Sequence, residues 1–320
     1  MKIETVCILG GSGFVGGHLV NRLGAAGMRC SVATRYPHRH RELQLGGVRV
    51  VPVSSFDRYE LTRLFEGYDA VVNLIGILNN GFGGHFETVH VGIAAAVAES
   101  CKAAGVKRLL HMSALNADPD GPSEYLRSKG RAEEAVWRAA TRDVGVTMFR
   151  PSVIFGPDDS FFNRFASLLR LPGPLPLACP EARFAPVYVG DVAEAFLRSA
   201  RSSHTIGEVY ELCGPQVMTL REVVAYTAER LGMRKKIIGL GAGLSRLQAR
   251  VLGWLPGKPF SMDNFLSLQK PSVCEINGLL RLDITPTPLD AVMSPELSGR
   301  RMRARYTWYR KLLPGDFLGK

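Results

Sequence analysis

Gly10-Gly11-Ser12-Gly13-Phe14-Val15-Gly16 follows an apolar run, Val6 to Leu9, and leads directly into a stretch with helical spacing. Glycines at a strand-to-helix turn let the backbone approach a pyrophosphate, and the free N–H groups of the helix's first turn point at it. Glycine also serves ordinary tight turns, so the run alone is a weak signal. Its position near the start of the chain, between a strand and a helix, makes it a strong one. Gly10, Ser12, Gly13, Phe14, Val15 and Gly16 are therefore expected to form a phosphate cradle.

Working outward, β-branched runs alternate with helical stretches, the pattern of a parallel sheet covered on both faces. Strands are expected at Val6 to Leu9, Arg29 to Thr34, Val48 to Val53, Ala70 to Ile75, Arg108 to Met112 and Thr147 to Phe149. Helices are expected at about Gly16 to Ala26, Arg58 to Phe65, Val91 to Ala104 and Ser123 to Ala140. This is an α/β Rossmann fold, a doubly wound parallel sheet, with a small C-terminal lobe. Beyond Arg150 the alternation gives way to the loop Leu171 to Pro180, which holds Pro172, Pro174, Pro176 and Pro180. A strand and helix at Pro186 to Ala200 read as a return to the main sheet. The expected plan is a dinucleotide-binding core over 1–155, with 184–200 returning to the sheet, and a lobe formed by 156–183 and 201–320.

With 320 residues, 46% hydrophobic and 22% charged, the chain has the balance of a globular protein with a large core. The net charge of +11 is uneven. Arg230 to Lys258 contains Arg230, Arg234, Lys235, Lys236, Arg246, Arg250 and Lys258 and no carboxylate, while Ser298 to Lys320 sets Asp316 against a cluster that includes Arg300, Arg310 and Lys311. These two segments more than account for the net charge, and no nucleic-acid-binding module accompanies them, so nucleic acid is not an expected partner. Cys7, Cys30, Cys101, Cys179, Cys213 and Cys274 form no Cys-x-x-Cys pair and read as small buried hydrophobes of a reducing compartment. The first strand begins almost at Met1, leaving no room for a secretion signal, and no apolar run approaches the roughly 20 residues that span a bilayer. The expected location is the cytoplasm or a matrix-like reducing compartment, with peripheral attachment to an inner membrane open.

At the end of the second strand, where a carboxylate would hold the ribose hydroxyls of NAD, the chain has Thr34-Arg35, followed by His38, Arg39, His40 and Arg41. Guanidinium groups pair with a 2′-phosphate, which favours NADP(H) over NAD(H) and points to Arg35 and Arg39. Tyr125 and Lys129 share a helix face at i, i+4, and Ser113 ends the fifth strand. A nearby ammonium favours an ionised tyrosine, so the three form a candidate proton-exchange set for a carbonyl or alcohol. His85, His90 and His111 lack metal-ligand spacing and read as surface or core residues; no metal is expected. Asp191 reads as a helix N-cap. Asn163 and Arg164 are candidates for lining a substrate pocket.

Gly10 to Gly16, Asp69-Ala-Val-Val-Asn-Leu-Ile-Gly76, Ser113, Tyr125-x-x-x-Lys129 and Arg150-Pro151-x-x-x-x-Gly156 together resemble the extended and atypical short-chain dehydrogenases/reductases, the epimerase/dehydratase-like proteins. More narrowly, Asn73 to Gly76, His111 to Ala117, Tyr125 to Lys129, Pro186 to Val189, Ile284 to Leu289 and Tyr306 to Arg310 are similar to the NADPH-binding accessory subunit family of respiratory complex I. The resemblance implies NADPH held by the glycines, Arg35 and the Leu74-Ile75-Gly76 stretch, with Tyr125, Lys129, Arg150, Pro151 and Val153 near the nicotinamide. It does not imply turnover, because the subfamily serves complex I as coenzyme-binding structural or assembly components. Leu9 and Ser54 depart from the family pattern, which often has Thr and an adenine-contacting Asp there.

Two functions compete. One is a coenzyme-binding protein acting at a membrane or respiratory assembly. The alternative is an active NADPH-dependent reductase of a carbonyl, quinone or sugar-nucleotide substrate, using Ser113, Tyr125 and Lys129. Leu240, Leu244, Leu247 and Val251 fall at helical spacing with Trp254 and Leu255 just beyond, and Arg246 and Arg250 share a neighbouring face. Such a stripe either packs inside the lobe or rests on an anionic membrane or a partner's groove. The segments Leu240 to Lys258 and Arg300 to Lys311 are thus the candidate contacts to a membrane surface or to respiratory-complex subunits.

Overall fold

A computed structural model of the chain describes residues 2–40, 43, 47–81, 85–139, 143–254 and 260–293. Arg41, Leu255, Lys258 and the whole stretch from 294 onward, including the Arg300 to Lys311 cluster and Tyr306 to Arg310, lie outside the described residues. The Rossmann part runs β1 (Thr5–Leu9), α1 (Phe14–Ala25), β2 (Arg29–Thr34), β3 (Arg49–Pro52), α2 (Arg58–Phe65), β4 (Ala70–Asn73), α3 (Ile93–Ala103), β5 (Arg108–Met112), α4 (Glu124–Ala139) and β6 (Gly145–Pro151). The chain continues through β7 (Ile154–Phe155), α5 (Phe161–Leu169), β8 (Leu175–Leu177), β9 (Arg183–Phe184), β10 (Val187–Tyr188), α6 (Val189–Arg201), β11 (Val209–Leu212), β12 (Met218–Thr219), α7 (Leu220–Arg230), β13 (Ile237–Gly239), α8 (Ala242–Leu252) and α9 (Met262–Ser267).

Seven strands form one parallel sheet in the order β11-β6-β5-β4-β1-β2-β3. The order reverses between β1 and β4, which opens a crevice at the strands' carboxyl ends where such folds bind ligands. The alternation of side chains along β1 shows why the sheet is covered twice. Val6 and Ile8 join one core with Leu19 and Leu23 of α1 and Phe196 of α6, while Cys7 and Leu9 join the other with Leu61, Val97 and Val136 of α2, α3 and α4.

The segment 184–200 does not return a strand to the main sheet. Val187–Tyr188 pairs with Ile154–Phe155 in a separate two-stranded ladder, and the helix that follows, α6, packs against α1. The strand that extends the main sheet is β11, beside β6. The lobe is built from the ladders β9 with β12 and β8 with β13, around a core of Leu169, Leu175, Leu177, Phe184, Leu220 and Val224.

Four cysteines are free thiols, with Cys7, Cys30 and Cys101 buried as expected. Cys213 and Cys274 instead form a disulfide across 61 residues of sequence, which overturns the reading of all six as free. Spacing carries no information about such a pair, because it is the fold that lays the segment after residue 270 beside the end of β11. There Ser152 Oγ donates to Ser272 O at 2.7 Å and Asn277 Nδ2 to Cys213 O at 2.8 Å.

Candidate functional site

α1 begins at Gly13 with no side-chain cap, so the N–H groups of its first turn are left open to a ligand. Gly10 has φ +76°, a conformation that favours glycine, and a Cβ on Gly16 would lie 2.4 Å from Gly10 O. The turn is therefore closed tightly on itself: Gly13 N donates to Gly10 O at 3.1 Å. Leu74 meets this turn from β4's end, its N–H bonded to Leu9 O at 3.0 Å. The sequence run thus forms a bare helix terminus at the crevice.

At the end of β2 the Arg35 guanidinium lies 5.8 Å from the ring centres of both Tyr36 and Phe56, and that of Arg39 lies 4.8 Å from Tyr36. No carboxylate binds either guanidinium among the described residues. Their attachment is aromatic, which leaves the fork of donors open to an anion. Ser54, at the departing adenine position, is spent locally: its N–H donates to Glu60 Oε1 at 2.7 Å and its hydroxyl to the same carboxylate. These and the Ser55 hydrogen bonds hold the Glu60 carboxyl down to about 2.

Ser113, Tyr125 and Lys129 sit on β5's end and α4. Ser113 N donates to Phe149 O at 2.8 Å, and its hydroxyl is buried with no partner among the described residues. An orphaned buried hydroxyl is uncommon and fits a group built to meet a ligand oxygen. Lys129 Nζ reaches Met112 O at 3.4 Å, and a Cβ on Gly76 would stand 3.2 Å from that nitrogen, so Gly76 makes room for the ammonium. Burial lowers Lys129 to about 8 despite the opposing pull of Glu133. Tyr125 departs from expectation. Burial first, then the Asp263 carboxylate, raises its phenol to about 12, so it is held neutral rather than ionised. Desolvation is the larger of the two causes, and both keep the phenol protonated.

Two histidines complete the floor. His90 Nε2 accepts from Ile77 N at 3.0 Å and its Nδ1 pairs with Ser128 Oγ at 2.8 Å. His111 Nδ1 pairs with Asn73 Nδ2 at 3.3 Å, leaving Nε2 buried without a partner. Burial and the Lys129 charge push both rings down to about 3, so they are neutral. No His, Cys, Asp and Glu cluster able to hold a metal occurs among the described residues. His90 lies in a π-helical turn, Glu87–Gly92, that precedes α3, a distortion that recurs at functional sites.

Other expected residues go elsewhere. Arg150 is not free: Glu133 of α4 binds its Nε at 2.8 Å, a half-buried ion pair. Pro151 ends β6, where its carbonyl accepts from Leu115 N, and Val153 packs on the lobe's core. Asp191 is not an N-cap, because α6 starts at Val189 and Asp191 is its third residue. Its carboxylate accepts from Thr287 N at 2.7 Å and Thr287 Oγ1 at 2.8 Å. Asn163 Nδ2 is bonded to Asp159 O, and neither Asn163 nor Arg164 lines the cavity beside Tyr125.

Asp263 of α9 was not signalled by the sequence. It accepts from Glu124 N at 2.6 Å and Tyr125 N at 3.3 Å, capping the helix that carries Tyr125 and Lys129 from the lobe. It also walls a cavity of about 330 Å³ between the two parts of the molecule. α8 forms another wall. Its small residues Ser245 and Ala249 are buried, whereas Leu244 (59% exposed), Leu247 (55%) and Val251 (59%) face outward, as does Trp254 (91%) just beyond the helix. Leu240, the first residue of the predicted stripe, departs from it: it precedes the helix, is half-buried and donates its N–H to Leu177 O at 2.9 Å, so only the part from Leu244 onward turns away from the lobe. Arg246 and Arg250 are exposed beside it. No helix among the described residues is long and apolar enough to cross a membrane.

The model of the NAD dependent epimerase/dehydratase family matches residues 6–213. The mitochondrial NADH dehydrogenase [ubiquinone] 1 alpha subcomplex subunit 9 of Mus musculus is 28% identical over 317 residues, covering 95% of this chain and 81% of that protein. A ceramide reductase of Caulobacter vibrioides is 32% identical over 200 residues, covering 62% of this chain and 61% of its own. The solved NADPH-dependent quinone oxidoreductase QOR2 of Escherichia coli, complexed with NADPH, has the same fold, with a TM-score of 0.73, 18% identity and coverage of 92% of this chain and 98% of that one.

Proposed function

This chain belongs to the NAD dependent epimerase/dehydratase family, and we propose that within it the protein binds NADP(H) and works at a membrane or respiratory assembly. The observation that carries the reading is the uncapped glycine terminus of α1 set beside a β2 end that offers Arg35 and Arg39 and no carboxylate. Backbone N–H groups over Gly10 to Gly16 hold the pyrophosphate, and the two guanidiniums take the 2′-phosphate. Leu74, Ile75 and Gly76 form the wall opposite. Tyr125 and Lys129 complete the site, with Pro151 and Val153 behind them; Arg150 contributes by fixing α4 through Glu133 rather than by a direct contact.

The relation to complex I subunits and the outward apolar stripe of α8 with its arginines support attachment at a membrane surface or to respiratory-complex subunits. Leu240 to Lys258, joined by Arg300 to Lys311, supplies the contact, from the cytoplasmic or matrix-like side. The native protein should purify with bound NADPH or NADP⁺ and with membrane lipid or respiratory subunits, which mass spectrometry identifies. Recovery with NAD⁺ alone, or with no nucleotide and no companion, would contradict the reading.

The orphaned Ser113 hydroxyl supports a second reading, an NADPH-dependent reductase. The bound nicotinamide supplies a hydride; the chain's own work is to orient and protonate. Ser113 Oγ donates to the substrate's carbonyl oxygen, neutral Tyr125 delivers the proton to that oxygen, and Lys129 holds the local charge balance. Tyr125→Phe should then abolish NADPH oxidation by a carbonyl or quinone while leaving NADPH affinity within a few-fold. A native protein inactive across a broad panel would leave the structural role as the working function.

A further inference from the structure

The cavity between α4, α8 and α9 has walls of two kinds. Phe86, Ala249, Trp254 and Met262 present apolar surface. Its acidic groups are already satisfied, since Glu124 is bound to Arg127 and Arg131, and Asp263 to the N–H groups that it caps. Asn79, Asn80 and Ser261 add neutral polar lining, so the charged group left for a ligand is one cation, Arg250, exposed and without an ion pair among the described residues. That combination complements an apolar chain ended by an anionic head.

Position links the cavity to both the site and the surface. At the inner end, the Phe86 ring meets the Tyr125 ring edge-on at 5.9 Å and the His90 ring at 5.3 Å. At the outer end, Trp254 is both a wall of the cavity and the most exposed member of the α8 stripe. At about 330 Å³ the space is at the lower end of the roughly 300–1,000 Å³ of ordinary ligand pockets. We propose that this cavity is a binding site for an anionic amphiphile of the fatty-acyl class, with the head at Arg250 and the chain directed toward Phe86 and Tyr125. It rests on the membrane reading above, because the bilayer under α8 is the source of such a ligand.

cis-Parinaric acid, a fluorescent fatty acid, tests this with the full-length protein. It should bind saturably at one site. Ala249→Trp, which fills the cavity, should weaken it at least tenfold, and Arg250→Glu should weaken it several-fold, while both variants still bind NADPH. Should Ala249→Trp not fold, Met262→Trp fills the same space from α9 and carries the same expectation. No saturable binding, or equal affinity in a folded filling variant, overturns the proposal. Flotation with phosphatidylglycerol vesicles is scored separately. Parinarate binding without flotation leaves the cavity site standing and removes the bilayer as its source, whereas flotation without parinarate binding removes the site and leaves the docking.

Discussion

Lys129 illustrates how much a single residue can be asked to bear. Its ammonium is buried, its hydrogen-bond partner among the described residues is the Met112 carbonyl at 3.4 Å, and its folded value is lowered to about 8 from 10.5. A lysine with a depressed folded value destabilises the native state fully below that value, and the cost fades as pH rises toward the unfolded value, because the unfolded chain binds more protons in between. The two values correspond to a cost on the order of 3 kcal/mol at neutral pH. Lys129→Met should therefore raise the urea midpoint of the ligand-free protein at pH 7, an advantage that shrinks between pH 8 and 10.5, while NADPH affinity falls. A variant less stable at pH 7 would show that the ammonium is held by favourable contacts instead. The placement of Ser113 just past a strand end and of Tyr125 and Lys129 on one helix was legible from the sequence pattern; their role as a set belongs to the proposal. The state of Tyr125 was not legible, since it depends on burial and on Asp263, 138 residues away. Arg150 misled for a similar reason: its partner Glu133 lies on α4, and sequence separation hides the pair.

At the scale of elements, the inner strands were readable because strands covered on both faces are continuous apolar runs. Arg29–Thr34 and Arg108–Met112 fall at their expected bounds. β11, Val209-Tyr-Glu-Leu212, is a short edge strand with a charged residue inside it, so it lacks that signature. α8 was readable as a periodic helix, but periodicity cannot say which way a stripe faces. The described structure turns it outward, beside Arg246 and Arg250. An apolar face of this kind with flanking cations binds anionic bilayers by burial plus electrostatics. The protein should float with phosphatidylglycerol vesicles at low salt and release as ionic strength shortens the screening length to about 8 Å and below. Leu244→Ser with Trp254→Ser should abolish flotation and spare NADPH binding. Loss of NADPH binding in that variant would mean that α8 supports the fold, and flotation that ignores salt would exclude the charge component.

For the whole molecule, the lobe reaches back to the Rossmann part at the site itself. Asp263 caps α4, Lys270 pairs with Asp118, and the Cys213–Cys274 disulfide ties the segment after residue 270 to the end of β11. The helix that carries Tyr125 is thus tied directly to the lobe. The division into a core over 1–155 and a discontinuous lobe remains a proposal about folding units, which this coupling qualifies. The glycine turn was legible from seven residues, because a glycine run between an apolar strand and a helical stretch marks a tight turn; the ties between α4 and the lobe were not, because each spans a long stretch of chain.

The central claim is that the α1 terminus and the β2 arginines bind a nicotinamide dinucleotide with its 2′-phosphate. Calorimetric titration of the native protein with NADPH and NADH, side by side at one ionic strength, tests it most directly. Tighter binding of NADPH is the predicted result, and Arg35→Asp should remove the preference at a cost of about 1.5–3 kcal/mol for a charge-assisted contact. Equal affinity for the two nucleotides would contradict the 2′-phosphate assignment, and no binding of either would contradict the account as a whole.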